Sequence, residues 1–270
     1  MASTGCKTND KFYKALLKCF IILLSIATLS SCDKESGVPE PEPAPPVDES
    51  IFNKLITVTN LGGELPAGHE PMANQDPIYY SLENQTTVNT AYTQTARWDI
   101  SFNGVYRSFA GGNNGTDVSN LGYRGPGKGG ILILEKAFDD VVDIPGDAQF
   151  RTGSGIFGTD DAGAFGSGVG YYCYDFAGTI FNDGSFEYQH IAYCLADTAT
   201  LYKGAANERK LPPRTLVVRT ARGNYAKIKM ISLYKDQTDP SEWRRDSPHV
   251  YYTFEYVLAK AGSTKFEITR

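Results

Sequence analysis

The sequence Tyr225-Ala-Lys-Ile-Lys-Met-Ile-Ser-Leu-Tyr234 decides the fold class of this chain. Lys227 and Lys229 alternate with Ala226, Ile228 and Met230, so polar and apolar side chains repeat with a period of two. Successive side chains of a β-strand point to opposite faces, so this pattern predicts an antiparallel strand with one solvated and one buried face. We therefore place Ala226, Ile228 and Met230 in the core.

The same alternation recurs along the rest of the chain, and no long segment after the N-terminal region has helical spacing. Residues 221–224, Ala-Arg-Gly-Asn, would join the strand above to a preceding strand at 216–220 as a tight hairpin. Further strands are expected at residues 97–102, 131–134, 171–176 and 251–257. We predict an all-β fold, either an antiparallel β-sandwich or a flattened barrel.

Glycine is concentrated in residues 111–130 and 153–170. Stretches of this kind carry little packed structure, so we predict two long loops or irregular edges. Long loops in a compact domain are usually functional or disordered. Any ligand site is therefore expected where these loops meet the end of the sandwich.

Residues 1–31 have the features of a bacterial lipoprotein signal peptide. Four lysines precede an apolar run at residues 19–27, and Leu29-Ser-Ser-Cys32 follows and resembles the lipobox of signal peptidase II substrates. The run is about half as long as the ~20 apolar residues of a spanning helix, so it would target the chain without anchoring it. We predict lipid attachment at Cys32; the alternative is an ordinary secretory signal with an incidental cysteine.

Residues 32–50 are expected to form a spacer, because prolines alternate with acids in Val38-Pro-Glu-Pro-Glu-Pro-Ala-Pro-Pro46. Such a sequence favours an extended, semi-rigid conformation. The charged residues directly after Cys32 resemble the surface-export signal of Bacteroidetes lipoproteins. We expect an outer-membrane lipoprotein exposed at the cell surface, with residues 51–270 forming one all-β domain.

Composition excludes several functions. The formal net charge is −5, and without residues 1–31 it becomes about −8, which argues against a nucleic-acid partner. The three histidines have no His-x-x-x-His spacing, and no zinc pattern is present. The adjacent acids Asp139-Asp140 and Asp160-Asp161 are interpreted as solvated. Nothing in these residues indicates an enzyme, and the remaining class is a binding protein.

Cys173 and Cys194 are the cysteines of the predicted domain, and an exported chain meets an oxidising environment. Asp183-Gly184 is a typical two-residue hairpin turn and lies midway between them. An uninterrupted hairpin would place the cysteines opposite each other at a non-hydrogen-bonded site, with Cα atoms about 4.5 Å apart. That distance suits a disulfide. We predict a Cys173–Cys194 disulfide, which a single bulge would prevent.

Four motifs carry a family resemblance: the hairpin Val217-Val-Arg-Thr-Ala-Arg-Gly-Asn-Tyr-Ala-Lys227, Trp98-Asp-Ile-Ser-Phe102, Gly127-Lys-Gly-Gly130 and Tyr251-Tyr-Thr-Phe-Glu-Tyr256. Together they resemble the HmuY family of haem-binding lipoproteins of Bacteroidetes, over most of residues 55–260. The resemblance implies an all-β, lipid-anchored haem carrier that does not catalyse a reaction. It also implies two axial histidines or methionines, and iron acquisition through a TonB-dependent receptor.

The ligand positions of that family are not plainly retained here. In that family, one axial histidine precedes the strand that matches residues 216–220. This chain has Tyr202 at that place. The phenolate of Tyr202 is a candidate ligand of ferric haem, and the alternative is an ordinary tyrosine. His190 is the best candidate by residue type. The predicted hairpin places it opposite Ala177, on the face of Cys173, as a ligand or as a plain exposed histidine.

Gly68-His-Glu-Pro-Met72 offers His69 and Met72 as further candidates in a glycine-proline loop. His249 follows a proline at a strand start and is interpreted as structural. Two other functions stay open. One is a glycan- or peptide-binding accessory lipoprotein that uses Tyr171 or Trp243 as a stacking platform, and the other is a structural surface protein without a small ligand.

Overall fold

The computed structural model describes residues 44–63 and 74–269, and in these residues thirteen strands are joined by loops and five three-residue 3₁₀ turns. The strands are β1 (Leu55–Gly62), β2 (Asn74–Ser81), β3 (Thr86–Val88), β4 (Ile100–Val105), β5 (Phe109–Gly112), β6 (Gly130–Leu134), β7 (Tyr172–Asp175), β8 (Ile191–Cys194), β9 (Ala199–Leu201), β10 (Arg209–Leu211), β11 (Thr215–Arg219), β12 (Tyr225–Tyr234) and β13 (His249–Ala259). No helix in this part of the chain has the length and apolar character needed to span a bilayer. Cys32, His69 and Met72 lie outside the described residues.

The strands form two main antiparallel sheets and two hairpins. The larger sheet has the order β1-β13-β12-β11-β6, and the smaller has the order β3-β2-β4-β5. The hairpins are β7-β8 and β9-β10. The all-β prediction is confirmed, and because the sheets of the described residues do not close into a barrel, the sandwich-like alternative is the correct one.

The main core lies between the two sheets. The predicted strand at residues 225–234 is β12, and Ala226, Ile228 and Met230 are buried in this core as expected. Phe102 of β4 stacks on Tyr252 of β13 with ring centroids 3.9 Å apart. Aromatic pairs of this kind add roughly 0.5–1.5 kcal/mol to the energy of burial, so this contact helps hold the sheets together.

The outer face of β12 departs from the prediction at Lys227. Its side chain is buried, and Nζ donates hydrogen bonds to the carbonyl oxygens of Phe138 and Val141 at 2.8 and 2.9 Å. Residues 135–150 cross this face. Val141 and Phe150 of this segment form a second small core there with Val217, Ala259 and Phe266. The alternation of lysines therefore predicted the strand correctly but not the segment that covers one end of its polar face.

Three of the four motifs that carried the family resemblance meet at the β11-β12 turn, where the Lys128 N–H donates to the carbonyl oxygen of Ala221 at 2.9 Å. The buried carboxylate of Asp99, just before β4, accepts hydrogen bonds from the backbone N–H groups of Leu82 at 2.8 Å and Ala221 at 3.0 Å. Asn113 donates from Nδ2 to the carbonyl oxygen of Trp98 at 2.8 Å. Asp99 thereby ties the smaller sheet to the β11-β12 turn, so these motifs have a structural role.

The first glycine-rich stretch is a long irregular loop, as predicted, but it is packed, which the prediction did not expect. Asn113 and Asn120 are buried, and Asn120 Nδ2 donates to the carbonyl oxygens of Gly112 at 2.8 Å and Thr152 at 2.5 Å. A Cβ atom on Gly112 would lie 2.7 Å from the backbone of Gly130. Asparagine amides supply the hydrogen bonds, and glycine permits the close backbone approach that this irregular structure requires.

The predicted disulfide is wrong, because the β7-β8 register differs by one residue from the predicted hairpin. Tyr172 pairs with Cys194 and Cys173 pairs with Tyr193, and both thiols are free. Adjacent strand residues point to opposite faces, so Cys173 packs in a separate small cluster while Cys194 packs against the main core. Burial raises the pKa of Cys173 to about 12 and also raises that of Cys194.

The strand ends early because Asp175 organises a turn. Its carboxylate accepts hydrogen bonds from the backbone N–H groups of Thr179, Ile180 and Phe181 at 3.0, 2.9 and 3.1 Å. The chain turns there, and the predicted Asp183-Gly184 turn lies within the connection to β8 rather than at a hairpin tip. The local turn signal at Asp183-Gly184 therefore gave the wrong register for β7 and β8.

Asp160 also corrects the sequence interpretation, because it is buried while Asp161 is exposed. Its carboxylate accepts hydrogen bonds from the Ala162 and Gly170 N–H groups at 3.0 and 3.2 Å. It also pairs with Arg214 Nη2 at 3.1 Å. The second glycine-rich stretch is thus fixed at its base by a buried ion pair.

Candidate functional site

A cavity of about 310 Å³ opens beside the β7-β8 hairpin, where the end of β12 and the start of β13 approach it. It is lined by Tyr106, Ser108, Tyr172, Tyr174, His190, Ala192, Leu233, Tyr234, Arg245, His249 and Val250. Small-molecule sites have volumes of roughly 300–1,000 Å³, so this cavity is at the lower end of the range. It contains both histidines of the described residues.

His190 directly precedes β8 and is half-buried. Its Nδ1 atom lies 2.8 Å from the hydroxyl of Tyr174, and its ring packs edge-on against Phe176 with centroids 4.6 Å apart. The backbone N–H of His190 donates to the carbonyl oxygen of Phe176 at 3.3 Å. His190 is therefore placed beside Tyr174 and Phe176, not opposite Ala177 as the predicted register required.

The electrostatic surroundings favour a neutral His190 ring. Partial burial and, to a smaller extent, the positive charge of Arg245 lower the pKa of His190 below its usual value. A neutral imidazole is the form that binds metals. When Nδ1 donates its proton to the Tyr174 hydroxyl, the lone pair of Nε2 is available to a ligand in the cavity.

His249 is the first residue of β13 and is exposed. Its Nδ1 atom lies 2.8 Å from the carbonyl oxygen of Ser247. A carbonyl oxygen can only accept, so Nδ1 carries the proton, and Nε2 of the neutral ring has a free lone pair. The sequence suggested a structural role for His249, but the residue also lines the same cavity as His190.

His249 reaches the cavity through tertiary contacts that the local sequence pattern does not reveal. Tyr234 pairs with His249 across β12 and β13, and its hydroxyl accepts a hydrogen bond from the Ala192 N–H of β8 at 2.8 Å. This chain of contacts joins the start of β13 to the hairpin that carries His190. The only feature of the sequence that indicated His249 was its position at the start of a strand, and therefore at the end of a sheet.

Three tyrosines of the cavity, Tyr172, Tyr174 and Tyr234, are neutral phenols at neutral pH. Burial raises the pKa of Tyr172 to about 12, and burial also raises the pKa values of Tyr174 and Tyr234. A phenol ligates iron as phenolate, whereas a neutral phenol donates or accepts hydrogen bonds. These three tyrosines therefore suit the walls of the cavity, and the imidazoles are the better metal ligands.

Arg245 supplies positive charge at the cavity. Its Nη1 atom donates to Gln189 Oε1 at 3.3 Å, and its guanidinium lies over the ring of Phe186 at 4.3 Å. Among residues 44–63 and 74–269, no carboxylate side chain forms an ion pair with it. Its remaining N–H donors can meet a ligand carboxylate.

The other candidates lie elsewhere. Tyr202 packs against the small cluster that contains Cys173 and does not line the cavity. His69, Met72 and the predicted lipidation residue Cys32 lie outside the described residues. Tyr171 and Trp243 are fully buried, which excludes them as exposed stacking platforms for a glycan.

The cavity lies near only one of the two glycine-rich stretches at which a ligand site was expected. Residues of the first glycine-rich stretch do not line it, and the second stretch reaches its neighbourhood through Phe165, whose ring centroid is 6.1 Å from that of Tyr174. Two larger cavities, of about 580 and 560 Å³, lie on the outer face of the larger sheet around Lys229 and Glu255. Neither is lined by a histidine or methionine of the described residues.

The residues present fit a haem group in the cavity beside β7-β8. Two imidazoles with available Nε2 atoms, a guanidinium and phenol walls provide iron ligands, a propionate partner and a largely neutral surface. The described residues contain no group of three or more His, Cys, Asp or Glu side chains arranged for a metal ion.

The fold and this cavity define a sandwich-like, all-β domain with a histidine-lined site. The chain belongs to the HmuY family, since the profile of the HmuY protein matches residues 73–256, more than half of its length. The match covers the motifs at Asp99, at the β11-β12 turn and in β13, together with His190 and His249.

Two solved structures from Bacteroides are also similar. A candidate lipoprotein of Bacteroides fragilis has 13% identity and a TM-score of 0.29, with 78% of this chain and 93% of that chain covered. A candidate HmuY-like haem-binding protein of Bacteroides vulgatus has 13% identity and a TM-score of 0.29, with coverages of 80% and 97%. No curated protein matches the chain significantly.

Proposed function

We propose that this protein binds haem in the cavity beside β7-β8, with His190 and His249 as the axial ligands, and that it catalyses no reaction. One observation carries the proposal: in a member of the HmuY family, two histidines far apart in sequence line the same cavity, and both form their hydrogen bonds through Nδ1 rather than Nε2. Haem iron commonly takes one or two axial side chains of this type.

The remaining wall residues support the same ligand. Arg245 can pair with a propionate, because its guanidinium borders the cavity and has no ion-pair partner among the described carboxylates. Tyr172, Tyr174 and Tyr234 are neutral and present ring surface and hydroxyls rather than negative charge. Negative charge there would repel the propionates.

The sequence supports a location and a role for this binding. A lipid on Cys32 and the proline-rich spacer that follows it would hold the domain away from the outer membrane, at the cell surface. In that position a haem carrier of this family would supply haem to a TonB-dependent receptor for iron acquisition. A Cys32→Ala variant tests the anchor: the protein should leave the membrane fraction and lose labelling by radioactive palmitate.

A hemin titration followed by absorbance tests the proposal. The wild-type protein should shift the Soret band and saturate at about one equivalent. His190→Ala and His249→Ala should each change the Soret position, and the double variant should lose the saturable shift. Tyr202→Phe should behave as wild type, as should a variant with both His69→Ala and Met72→Ala. Absence of a saturable wild-type shift would overturn the proposal, and loss of the shift only in the His69 and Met72 variant would move the ligands to that loop.

A further inference from the structure

Three exposed phenylalanines lie beside residues that line the cavity. Phe165, Phe176 and Phe186 are 77%, 47% and 69% exposed, and we name these three residues the aromatic rim. Each contacts a residue of the cavity wall: Phe165 lies near Tyr174, Phe176 packs on His190, and Phe186 lies under Arg245. Exposed apolar side chains grouped at one place indicate a binding surface.

The rim is held in place rather than free to fold back. Phe165 lies in the segment between Asp160 and Gly170, and this segment is fixed by the buried pair of Asp160 with Arg214 and by the Gly170 N–H donating to Asp160. The rings of Phe165 and Phe176 also meet edge to face, with centroids 5.8 Å apart.

The connection that carries Phe176 and Phe186 is fixed in the same way. It begins at Asp175, whose carboxylate accepts hydrogen bonds from three successive backbone N–H groups. The rim therefore presents its apolar surface before any ligand binds, and little conformational entropy is lost on binding.

The size of the cavity leaves part of a porphyrin outside it. A volume of about 310 Å³ suits a ligand smaller than a complete macrocycle with its substituents. An iron bound by His190 and His249 would centre the macrocycle in the cavity, and its edge would extend toward the rim. Phe165 and Phe176 form an apolar part of that rim, whereas Phe186 lies next to the charge of Arg245.

We infer that the aromatic rim is the specificity-determining surface for the macrocycle: Phe165 and Phe176 contact its apolar, vinyl-bearing edge, and Phe186 lies with Arg245 at its propionate edge. This inference rests on the proposed function. The rim would not coordinate iron. It would strengthen binding of a wide planar porphyrin and set the orientation of that porphyrin in the cavity.

The experiment compares hemin with deuterohemin, in which hydrogens replace the two vinyl groups. Phe165→Ala and Phe176→Ala should each bind hemin about tenfold more weakly, as expected for lost burial of a phenyl ring. For Phe165→Ala the Soret position and the melting temperature should stay those of wild type, because the proposed ligands are unchanged and Phe165 is 77% exposed. The preference for hemin over deuterohemin should decrease in both variants.

Two variants serve as controls. Val118→Ala removes an apolar side chain that is also 77% exposed but outside the rim, and it should bind hemin as wild type does. Phe165→Leu keeps much of the apolar area and should recover most of the affinity. If the wild-type protein binds hemin while the rim variants keep wild-type affinity and preference, the rim inference alone is overturned. If the wild-type protein gives no saturable Soret shift, the proposed function fails and the rim inference fails with it.

Discussion

The hydroxyl of Tyr174 lies 2.8 Å from Nδ1 of His190, so a residue of β7 fixes the ring of a residue that precedes β8. A histidine ligand is usually held in this way, with one ring nitrogen engaged by the protein and the other directed at the metal. The contact exists only because the β7-β8 register places His190 beside Tyr174. It therefore links the local strand pairing to the proposed chemistry.

Tyr174→Phe should weaken hemin binding by about tenfold, because loss of an outer hydrogen-bond partner typically reduces metal affinity 10–100-fold. The ring of His190 would keep its packing against Phe176 but lose the partner that fixes its tautomer. Hemin titration measures the effect. Tyr202→Phe is the matched control and should bind as wild type; equal affinities of all three proteins would contradict a positioning role for Tyr174.

Hemin binding should weaken in acid. The pKa of His190 lies below its usual value, so the ring stays neutral at pH 7 and becomes protonated only at a lower pH, where the proton competes with iron. The Arg245 charge contributes to this lowering, so Arg245→Gln should raise the pKa of His190. The acid loss of binding should then begin at a higher pH. Titrations from pH 5 to pH 8 test this, and an unchanged pH midpoint in the variant would contradict it.

Cys173 and Cys194 should remain unpaired thiols under oxidising conditions. They point to opposite faces of the β7-β8 hairpin, and burial raises the pKa of both, which suppresses the reactive thiolate. Peptide mapping without reductant should recover the two cysteines on separate linear peptides. A linked peptide would mean that the register is the one predicted from the Asp183-Gly184 turn.

The fold class follows from the sequence because side-chain alternation is a local property of a strand. Ala226, Ile228 and Met230 are buried as their spacing predicts. The register of β7 and β8 depends instead on where Asp175 ends the strand and on a long irregular connection. A turn signal such as Asp183-Gly184 cannot determine pairing across such a connection.

The site was only partly predictable for a related reason. His190 could be selected by residue type, but its environment required the correct register. His249 could not be assigned, because its approach to β8 depends on Tyr234, which contacts both strands from β12. The sequence also gave no sign that Asp160 would be buried beside Arg214, since an acidic pair in a glycine-rich stretch usually faces solvent.

The pair of Asp160 and Arg214 should contribute strongly to stability. Among the described residues, Asp160→Asn would leave the more exposed Glu135, 3.3 Å away, as the one carboxylate paired with the buried guanidinium. Removal of one partner of a buried pair typically costs 3–5 kcal/mol. We expect destabilisation of about 3 kcal/mol in denaturant unfolding. Combining Asp160→Asn with Arg214→Met should recover part of the loss.

Asp161→Asn is the control for this variant, because Asp161 is the neighbouring residue and is exposed. A surface substitution of this kind usually changes stability by less than about 0.5 kcal/mol. Equal effects of the two substitutions would show that Asp160 is solvated, as the sequence alone suggested.

The contribution of Asp99 to the free energy of unfolding should decrease as the pH rises. Burial, with the nearby charge of Glu83, raises the pKa of Asp99 to about 7, whereas an unfolded aspartate has a pKa of about 3.9. Between these values the folded state binds the additional proton, so the free energy of unfolding falls as the pH increases. Raising the pH from 5 to 8 should lower the Asp99 contribution by on the order of 2 kcal/mol.

Glu83→Gln isolates this contribution from other titrating groups. The glutamine carbonyl can keep the hydrogen bonds that Oε1 accepts from Thr220 and Asn224, at 2.6 and 2.7 Å, while the repulsive charge is removed. The pKa of Asp99 should then fall, and urea unfolding at pH 5 and pH 8 should show a smaller loss of stability than in wild type. Glu242→Gln, at an exposed acid, should keep the wild-type loss. If wild type, Glu83→Gln and Glu242→Gln all lose the same free energy of unfolding between pH 5 and pH 8, Asp99 is ionised throughout this range. Its hydrogen bonds then lower its pKa by more than its burial raises it.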